Sequence, residues 1–310
     1  MTMQRYSRWG RSAYESDTTL ATEADALRPM LEIRPFRTDA EFVATNSKTR
    51  IDDALLDQMP SAKIVVTTTS GYEHIDLSAL GRRGVRAARL PLARRDPVVE
   101  STLAMMLDLL RRHPRMQRAA TEDRWVRGAL PGLGMQTIAE APIGIIGLGV
   151  IGLRMAEVLH ALGADLYGND PAGLPDFVKP ATVDEILQNC VAVTLHCRLT
   201  PETTFIINAE RLSRVRPGLV LVNTARGGLV DVDAAVTALE SGRLGGLGVD
   251  VFPQEPWPRL WQTLGRDDLL FTPHAAGYHD RLTEKIAEGL RDAATAYLAG
   301  GPVPWELQTR

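Results

Sequence analysis

Ile143-Gly144-Ile145-Ile146-Gly147-Leu148-Gly149-Val150-Ile151-Gly152 runs from an apolar strand through a glycine turn into an amphipathic helix expected near residues 151–162. G-x-G-x-x-G alone is a weak pattern, because glycine triplets also occur in plain strand–helix turns. Here the strand before it and the helix after it supply the context that gives it meaning. Gly147 permits a tight turn, Gly149 lets a pyrophosphate approach the backbone, and Gly152 lets helix pack closely on sheet. The free N–H groups at the helix start and the helix dipole then face the phosphates. Asp170 ends the next strand, close to the spacing of about 20 residues at which a carboxylate accepts from the adenosine ribose hydroxyls. That carboxylate repels a 2′-phosphate, and no Lys or Arg follows in Pro171-Ala172-Gly173-Leu174-Pro175. NAD (NADH) is therefore expected rather than NADP; the alternative role for Asp170 is capping.

Outward from this turn the alternation continues. Strands are expected at 164–168, 191–195, 219–222, 247–251 and 269–272, with a helix near 231–241. Strand–helix alternation at this spacing implies a parallel sheet covered on both faces. Before it, residues 62–68 and 85–90 read as strands, and residues 98–112 read as a long helix, apolar on almost every face, that starts after Pro97 and can join two domains. The fold class is α/β.

Three polar residues stand just past apolar strands of the second half: Arg226 in Val222-Asn223-Thr224-Ala225-Arg226-Gly227-Gly228, Glu255 in Asp250-Val251-Phe252-Pro253-Gln254-Glu255-Pro256, and His274 in Thr272-Pro273-His274-Ala275-Ala276-Gly277. Ligands of open α/β sheets bind at such strand ends. A cation, a carboxylate and an imidazole on one edge can bind an anionic substrate and move a proton. For each residue taken singly, a turn or a solvent-facing position is the alternative.

The bulk composition narrows the remaining classes. Of 310 residues, 45% are hydrophobic and 24% charged, as in soluble two-domain proteins, and the formal net charge of −3 gives no case for nucleic acid or an anionic membrane. The arginine pairs at Arg82-Arg83, Arg94-Arg95 and Arg111-Arg112 read mainly as solvated faces. Cys190 and Cys197 read as buried free thiols, too few for a metal site. The first nine residues lack the apolar core of a signal peptide, and no stretch approaches the roughly 18 apolar residues of a membrane span. A cytoplasmic protein without a metal is expected.

Taken together, the ordered motifs resemble those of the D-isomer-specific 2-hydroxyacid dehydrogenases. The resemblance runs from about Ser70 to Gly301 and is strongest in 144–152, in Leu195-His196-Cys197 with Leu199-Thr200-Pro201-Glu202-Thr203, in 222–231, in 250–256 and in 272–277. It implies two Rossmann-like domains, with a doubly wound NAD-binding domain (97–282) inserted into a flavodoxin-like substrate domain (1–96 and 283–310). The helix near 281–298 would carry the chain back into the latter. It also implies a homodimer and a small anionic 2-oxo or 2-hydroxy acid as substrate. By resemblance His274 is the acid/base, Glu255 its buried partner, raising the pKa of the imidazole, and Arg226 the substrate clamp. Ser70 and Gly71 match a turn whose N–H groups bind the substrate carboxylate. Thr102, Val150, Ile151, Thr224, Asp250 and Gly277 match cofactor contacts, Asp250 near the nicotinamide carboxamide.

Four departures from the family pattern stand out: Val150 for Arg or Lys, Cys190 for Asp, Arg198 for Pro and Arg94 for an active-site Asn. Arg94, with Arg95, is a candidate to read a second anionic group of the substrate; a surface pair or an ion pair with Asp96 is the alternative. The reading is an oxidoreductase. An NAD(H)-sensing corepressor-like protein of the same fold and oxidation of another small anion such as phosphite are the alternatives.

Overall fold

A computed structural model describes residues 4–9, 16–33, 38–122, 125–263 and 265–309. The chain divides into two compact units, Met1–Arg94 with Tyr278–Arg310, and Arg95–Gly277. The first contains strands β1 (Arg5–Trp9), β2 (Glu32–Ile33), β3 (Phe42–Thr45), β4 (Ile64–Thr67) and β5 (Arg86–Arg89). The second contains β6 (Pro142–Ile146), β7 (Asp165–Asn169), β8 (Lys179–Pro180), β9 (Ala192–Leu195), β10 (Leu219–Asn223), β11 (Leu244–Val249) and β12 (Leu269–Phe271); β13 (Glu306–Leu307) returns to the first.

The sheet of the second unit runs β12-β11-β10-β9-β6-β7-β8, with every pair parallel. Strand order reverses on either side of β6, which makes the sheet doubly wound and puts the switch point at β6 and β9. Both faces are covered. Leu219 and Leu221 of β10 pack with Ile186, Leu212, Val236 and Leu239 on one side. Val220 and Val222 pack with Met105, Leu109, Met155 and Leu159 on the other. A strand buried on both faces needs apolar residues at every position, which is why β9 and β10 read as continuous runs rather than alternating ones.

In the first unit the sheet order is β13-β5-β4-β3-β1-β2. Its five parallel strands follow the flavodoxin-like order 2-1-3-4-5, and β13 adds antiparallel to β5. Helices Asp17–Leu27 and Leu282–Leu298 cover one face through Leu27, Leu282, Ile286 and Leu290. Leu56, Ala79 and Leu80 cover the other.

The long helix starts earlier than its sequence suggests, at Leu92, and runs to Leu110 with Pro97 inside it. A helical proline lacks the N–H that would bond the carbonyl four residues back. That carbonyl, of Ala93, is instead 3.0 Å from His279 Nε2, which must carry the proton because a carbonyl only accepts. The side chain of His279 thus replaces the lost backbone bond.

Candidate active site

Register decides where the site residues fall. The ladders pair Ile146 with Asn169 and Leu195, Leu195 with Asn223, Asn223 with Val249, and Val249 with Phe271. Six strands therefore end level, and the next residues (Gly147, Asp170, His196, Thr224, Asp250 and Thr272) open onto one carboxyl edge.

At the switch point the chain makes the glycine turn. Gly147 has φ of 89°, in the left-handed region open mainly to glycine. A Cβ there would run into the backbone of His196 and Cys197, and one on Gly152 into the Gly147 carbonyl. A Cβ on Gly149 would meet nothing within 4 Å. Gly149 is the N-cap of the helix Val150–Ala161 and supplies no side-chain cap. First-turn N–H groups of a helix have no intrahelical acceptor, so those of Val150 and Ile151 are left for an acceptor from outside the helix. This is the shape a dinucleotide pyrophosphate needs, and the chain fits that group.

Asp170 does two jobs. Its Oδ2 accepts from Leu148 N at 2.6 Å and its Oδ1 from Ala172 N at 2.8 Å, so it braces the glycine turn. An ionised carboxylate has about four acceptor sites, which leaves room for ribose hydroxyls. His196 Nε2 lies 3.1 Å from Thr194 Oγ1, and desolvation pushes the His196 imidazole down to about 4. It is neutral at pH 7. Cys190 is buried but Cys197, expected to be buried too, is only partly so; burial raises the thiols to about 12 and about 11, and neither is a nucleophile at neutral pH.

Further along the same edge, His274 Nδ1 lies 3.0 Å from Glu255 Oε2. Glu255 Oε1 accepts from Phe252 N at 3.2 Å, fixing the carboxylate to its own loop. Both side chains remain open to solvent, 56% and 37% exposed. A buried Glu255 was expected; it is partly exposed because it stands in the loop beyond the strand rather than in it. Gly227 brings the Arg226 loop against this one: a Cβ there would strike the Phe252 carbonyl. Arg226 Nη1 donates to Ala225 O at 2.6 Å.

His274 itself sits at φ 56°, an uncommon conformation for a non-glycine residue. The carboxylate of Asp250, 1% exposed, holds the loop in this shape. It accepts from Thr272 Oγ1 at 2.5 Å, Ala275 N at 2.7 Å and Ala276 N at 3.1 Å. Asp250, by resemblance a contact near the nicotinamide carboxamide, makes these bonds to the His274 loop. Thr102 and Thr224, also read as cofactor contacts, bond each other at 2.7 Å, and Thr102 donates to Val98 O at 2.6 Å. With the Thr102 proton on Val98 O, Thr224 is the donor of the pair. Gly277 is the last residue of this unit.

Ser70, Gly71 and Arg94 belong to the first unit, past the carboxyl end of β4 and at the start of the long helix. Arg95 pairs with Asp96 at 2.9 Å, the alternative raised for that arginine. Among the described residues, no group of three or more His, Cys, Asp or Glu is placed to hold a metal ion. No described helix is long and apolar enough to cross a membrane.

Residues 103–276 match the D-isomer specific 2-hydroxyacid dehydrogenase, NAD binding domain. The chain belongs to the D-isomer-specific 2-hydroxyacid dehydrogenases. It is 34% identical over 262 residues to a 2-hydroxyacid dehydrogenase homolog of Zymomonas mobilis, covering 78% of each chain. It is 31% identical over 282 residues to D-3-phosphoglycerate dehydrogenase of Mycobacterium tuberculosis, covering 86% of this chain and 51% of that one. The chain spans about half of the phosphoglycerate dehydrogenases of Synechocystis and Mycobacterium that it matches and 63% of that of Haemophilus influenzae. Among solved structures, D-lactate dehydrogenase of Aquifex aeolicus, complexed with NAD and lactic acid, superposes with a TM-score of 0.82 at 26% identity over 96% of both chains. The second unit is thus the NAD-binding domain of a 2-hydroxyacid dehydrogenase of this family.

Asn223 is not singled out by the sequence, yet it shapes the Arg226 loop. It is fully buried, its Nδ2 donates to Arg226 O at 2.9 Å, and its Oδ1 accepts from Ala225 N at 3.1 Å. Its signal was a lone amide ending an otherwise apolar strand.

Proposed function

We propose that the protein interconverts a 2-oxo acid and a D-2-hydroxy acid, acting in the cell as a 2-oxoacid reductase. The observation that carries this reading is the His274–Glu255 pair at 3.0 Å, on the same sheet edge as a glycine turn shaped for a dinucleotide. NAD(H) bound at that turn supplies or takes up the hydride. The chain's own residues supply proton and charge. Because a carboxylate only accepts, Glu255 fixes the proton of neutral His274 on Nδ1. Nε2 is then the atom that takes the proton of the substrate hydroxyl, or returns one to the carbonyl oxygen during reduction. Glu255 stabilises the imidazolium that forms. Arg226 stays charged, holds the substrate carboxylate, and opposes the negative charge that develops on the reacting oxygen. Asp170 favours NADH over NADPH by repelling a 2′-phosphate. The turn that carries Ser70 and Gly71 adds backbone N–H groups that bind the substrate carboxylate.

NADH oxidation followed at 340 nm against glyoxylate, pyruvate, hydroxypyruvate, oxaloacetate and phosphorylated 2-oxo acids tests the reading. At least one should turn over, with NADH preferred to NADPH. Tight NADH binding with no turnover on any of them would favour a corepressor-like sensor instead. The family resemblance further supports a cytoplasmic homodimer; sedimentation of the purified protein checks the dimer.

A further inference from the structure

The turn of the first unit that carries Ser70 and Gly71 has an unusual backing. Arg94 Nη1 donates to Thr68 O at 2.5 Å, and Arg89 Nη1 donates to Ser70 O at 2.9 Å. Two guanidinium groups thus hold two carbonyls, two residues apart, in one short turn. Arg89 is itself seated over the Tyr72 ring, 5.5 Å from its centre. Thr69 Oγ1 closes the turn from inside by donating to Gly71 O at 2.8 Å. Thr69 Oγ1 also lies 2.8 Å from Thr67 Oγ1, which is 3.2 Å from His74 Nε2.

The peptides of this turn are trans, so a carbonyl and the N–H of the following residue point in opposite directions. With the Thr68 and Ser70 carbonyls turned to the guanidiniums, the N–H of Thr69 points away from Arg94 and that of Gly71 away from Arg89. Among the described residues neither N–H meets an acceptor. A carbonyl bonded to a cation also polarises its peptide, which makes the N–H across it a stronger donor. The Ser70 N–H between them meets no acceptor among the described residues either, and successive N–H groups presented from one turn form an anion-binding concavity.

We propose that Arg94 and Arg89 are positioning residues: they clamp the turn at 68–71 so that its backbone N–H groups, from Thr69 to Gly71, form the hole for the carboxylate that every 2-oxo acid carries. This rests on the proposed 2-oxoacid reductase activity and sharpens it. Arg94 then acts through the turn, so its effect is on the shared carboxylate and not on a second charge of the substrate. A guanidinium aimed at a second anionic group would instead separate mono- from dianionic substrates.

The experiment compares Arg94→Ala, Arg94→Lys and Arg89→Gln with the parent protein. KM and kcat are measured for a monoanionic and a dianionic 2-oxo acid, such as pyruvate and oxaloacetate. Oxalate is titrated separately into the NADH-loaded protein by fluorescence. The expected result for Arg94→Ala is a KM raised roughly ten- to hundredfold, equivalent to one hydrogen bond from a charged donor. The factor should be the same for both substrates within about twofold, with kcat changed far less, and oxalate affinity should fall in parallel. Arg94→Lys should recover most of the loss, because an ammonium can still donate to the Thr68 carbonyl. NADH affinity, unchanged in all three, shows that the proteins are folded. A loss confined to the dianionic substrate, or unchanged KM and oxalate affinity in Arg94→Ala, would overturn the proposal. If the parent protein binds oxalate but reduces no 2-oxo acid, the activity reading fails while the oxalate titration still decides on the clamp.

Discussion

Replacing Asp250 by Asn tests whether a buried carboxylate holds His274, the proposed acid/base, in place. In the parent protein one side chain accepts from Thr272 Oγ1, Ala275 N and Ala276 N and is 1% exposed. Asparagine is nearly isosteric and keeps one acceptor oxygen, so no cavity forms. It removes the charge from three hydrogen bonds and turns an amide N–H2 toward the N–H of Ala276. A hydrogen bond to a charged group contributes about 1.5–3 kcal/mol and a neutral one about 1. Across three donors the loss comes to roughly 1.5–6 kcal/mol, a large share of the 5–15 kcal/mol that ordinarily stabilises a folded protein. The loop also carries His274 at φ 56°, a conformation that persists only when its surroundings enforce it. Displacing a reacting group by about 1 Å can slow turnover about a hundredfold. Urea denaturation without cofactor and steady-state kinetics should therefore both respond. A variant of parental stability without cofactor, whose only defect is weaker NADH binding, would show that Asp250 serves the cofactor and not the loop.

Four further outcomes follow from the geometry. Glu255→Gln keeps an acceptor for His274 Nδ1 but not the charge that stabilises imidazolium, so kcat should fall at least about tenfold with NADH affinity unchanged; an unchanged kcat would remove Glu255 from the proton transfer. Gly149→Val places its side chain in open space. It should fold normally yet weaken NADH by more than about tenfold in a fluorescence titration, because the phosphate space is filled. Gly227→Ala, whose Cβ would strike the Phe252 carbonyl, should instead lower stability by about 1–3 kcal/mol in a urea melt and reduce turnover together with it. His196 gives a pH signature. Its folded value of about 4 lies below the 6.5 of the free side chain, so its contribution is complete above about pH 6.5 and is lost as pH falls from there toward 4. The gap corresponds to about 2–3 kcal/mol, the lower figure allowing for the solvent that still reaches the residue. The stability difference between parent and His196→Asn, measured in urea at pH 7 and pH 4.5, should shrink at the lower pH; a constant difference would refute the assignment.

What could be read from the sequence was whatever local chemistry forces. A glycine at positive φ, an apolar strand buried on both faces and a helix start all leave marks within ten residues, so β6, β9 and β10 and the dinucleotide turn were legible. Strand β1 was not, since Arg5-Tyr6-Ser7-Arg8-Trp9 looks too polar for a sheet. Arg8 can be buried there because Glu23 meets its Nε at 2.9 Å from the helix Asp17–Leu27, a partner that no local pattern reveals. The helix start at Leu92 was hidden in the same way, since the bond that Pro97 forfeits is replaced by His279, far along the chain. Arg94 was visible as an odd residue at a site position, but its bond to Thr68 O depends on how β4 and the long helix fold together. The candidate site thus divides cleanly. Residues that do chemistry announce their type, whereas residues that hold them, such as Asn223, Arg89 and Asp250, are defined by the backbone groups they meet.

The second sheet shows how such holding is achieved at the level of the fold. The β10–β11 ladder is irregular at one end only: Leu219 pairs with Leu244 but Val220 with Gly246, leaving Gly245 as an extra residue. A Cβ on Gly245 would run into the Gly218 carbonyl, so glycine is what lets the bulge lie flat. From Val220 to Asn223 the pairing is regular, and Asn223 and Val249 reach the carboxyl edge together. A slip of one residue would turn every side chain to the opposite face of the sheet. It would also shift Arg226 along the edge relative to Asp250 and the His274 loop. The extra residue is taken up at the amino edge, away from the strand ends that carry the candidate site. The carboxyl edge keeps the common register on which the distance from Arg226 to His274 depends.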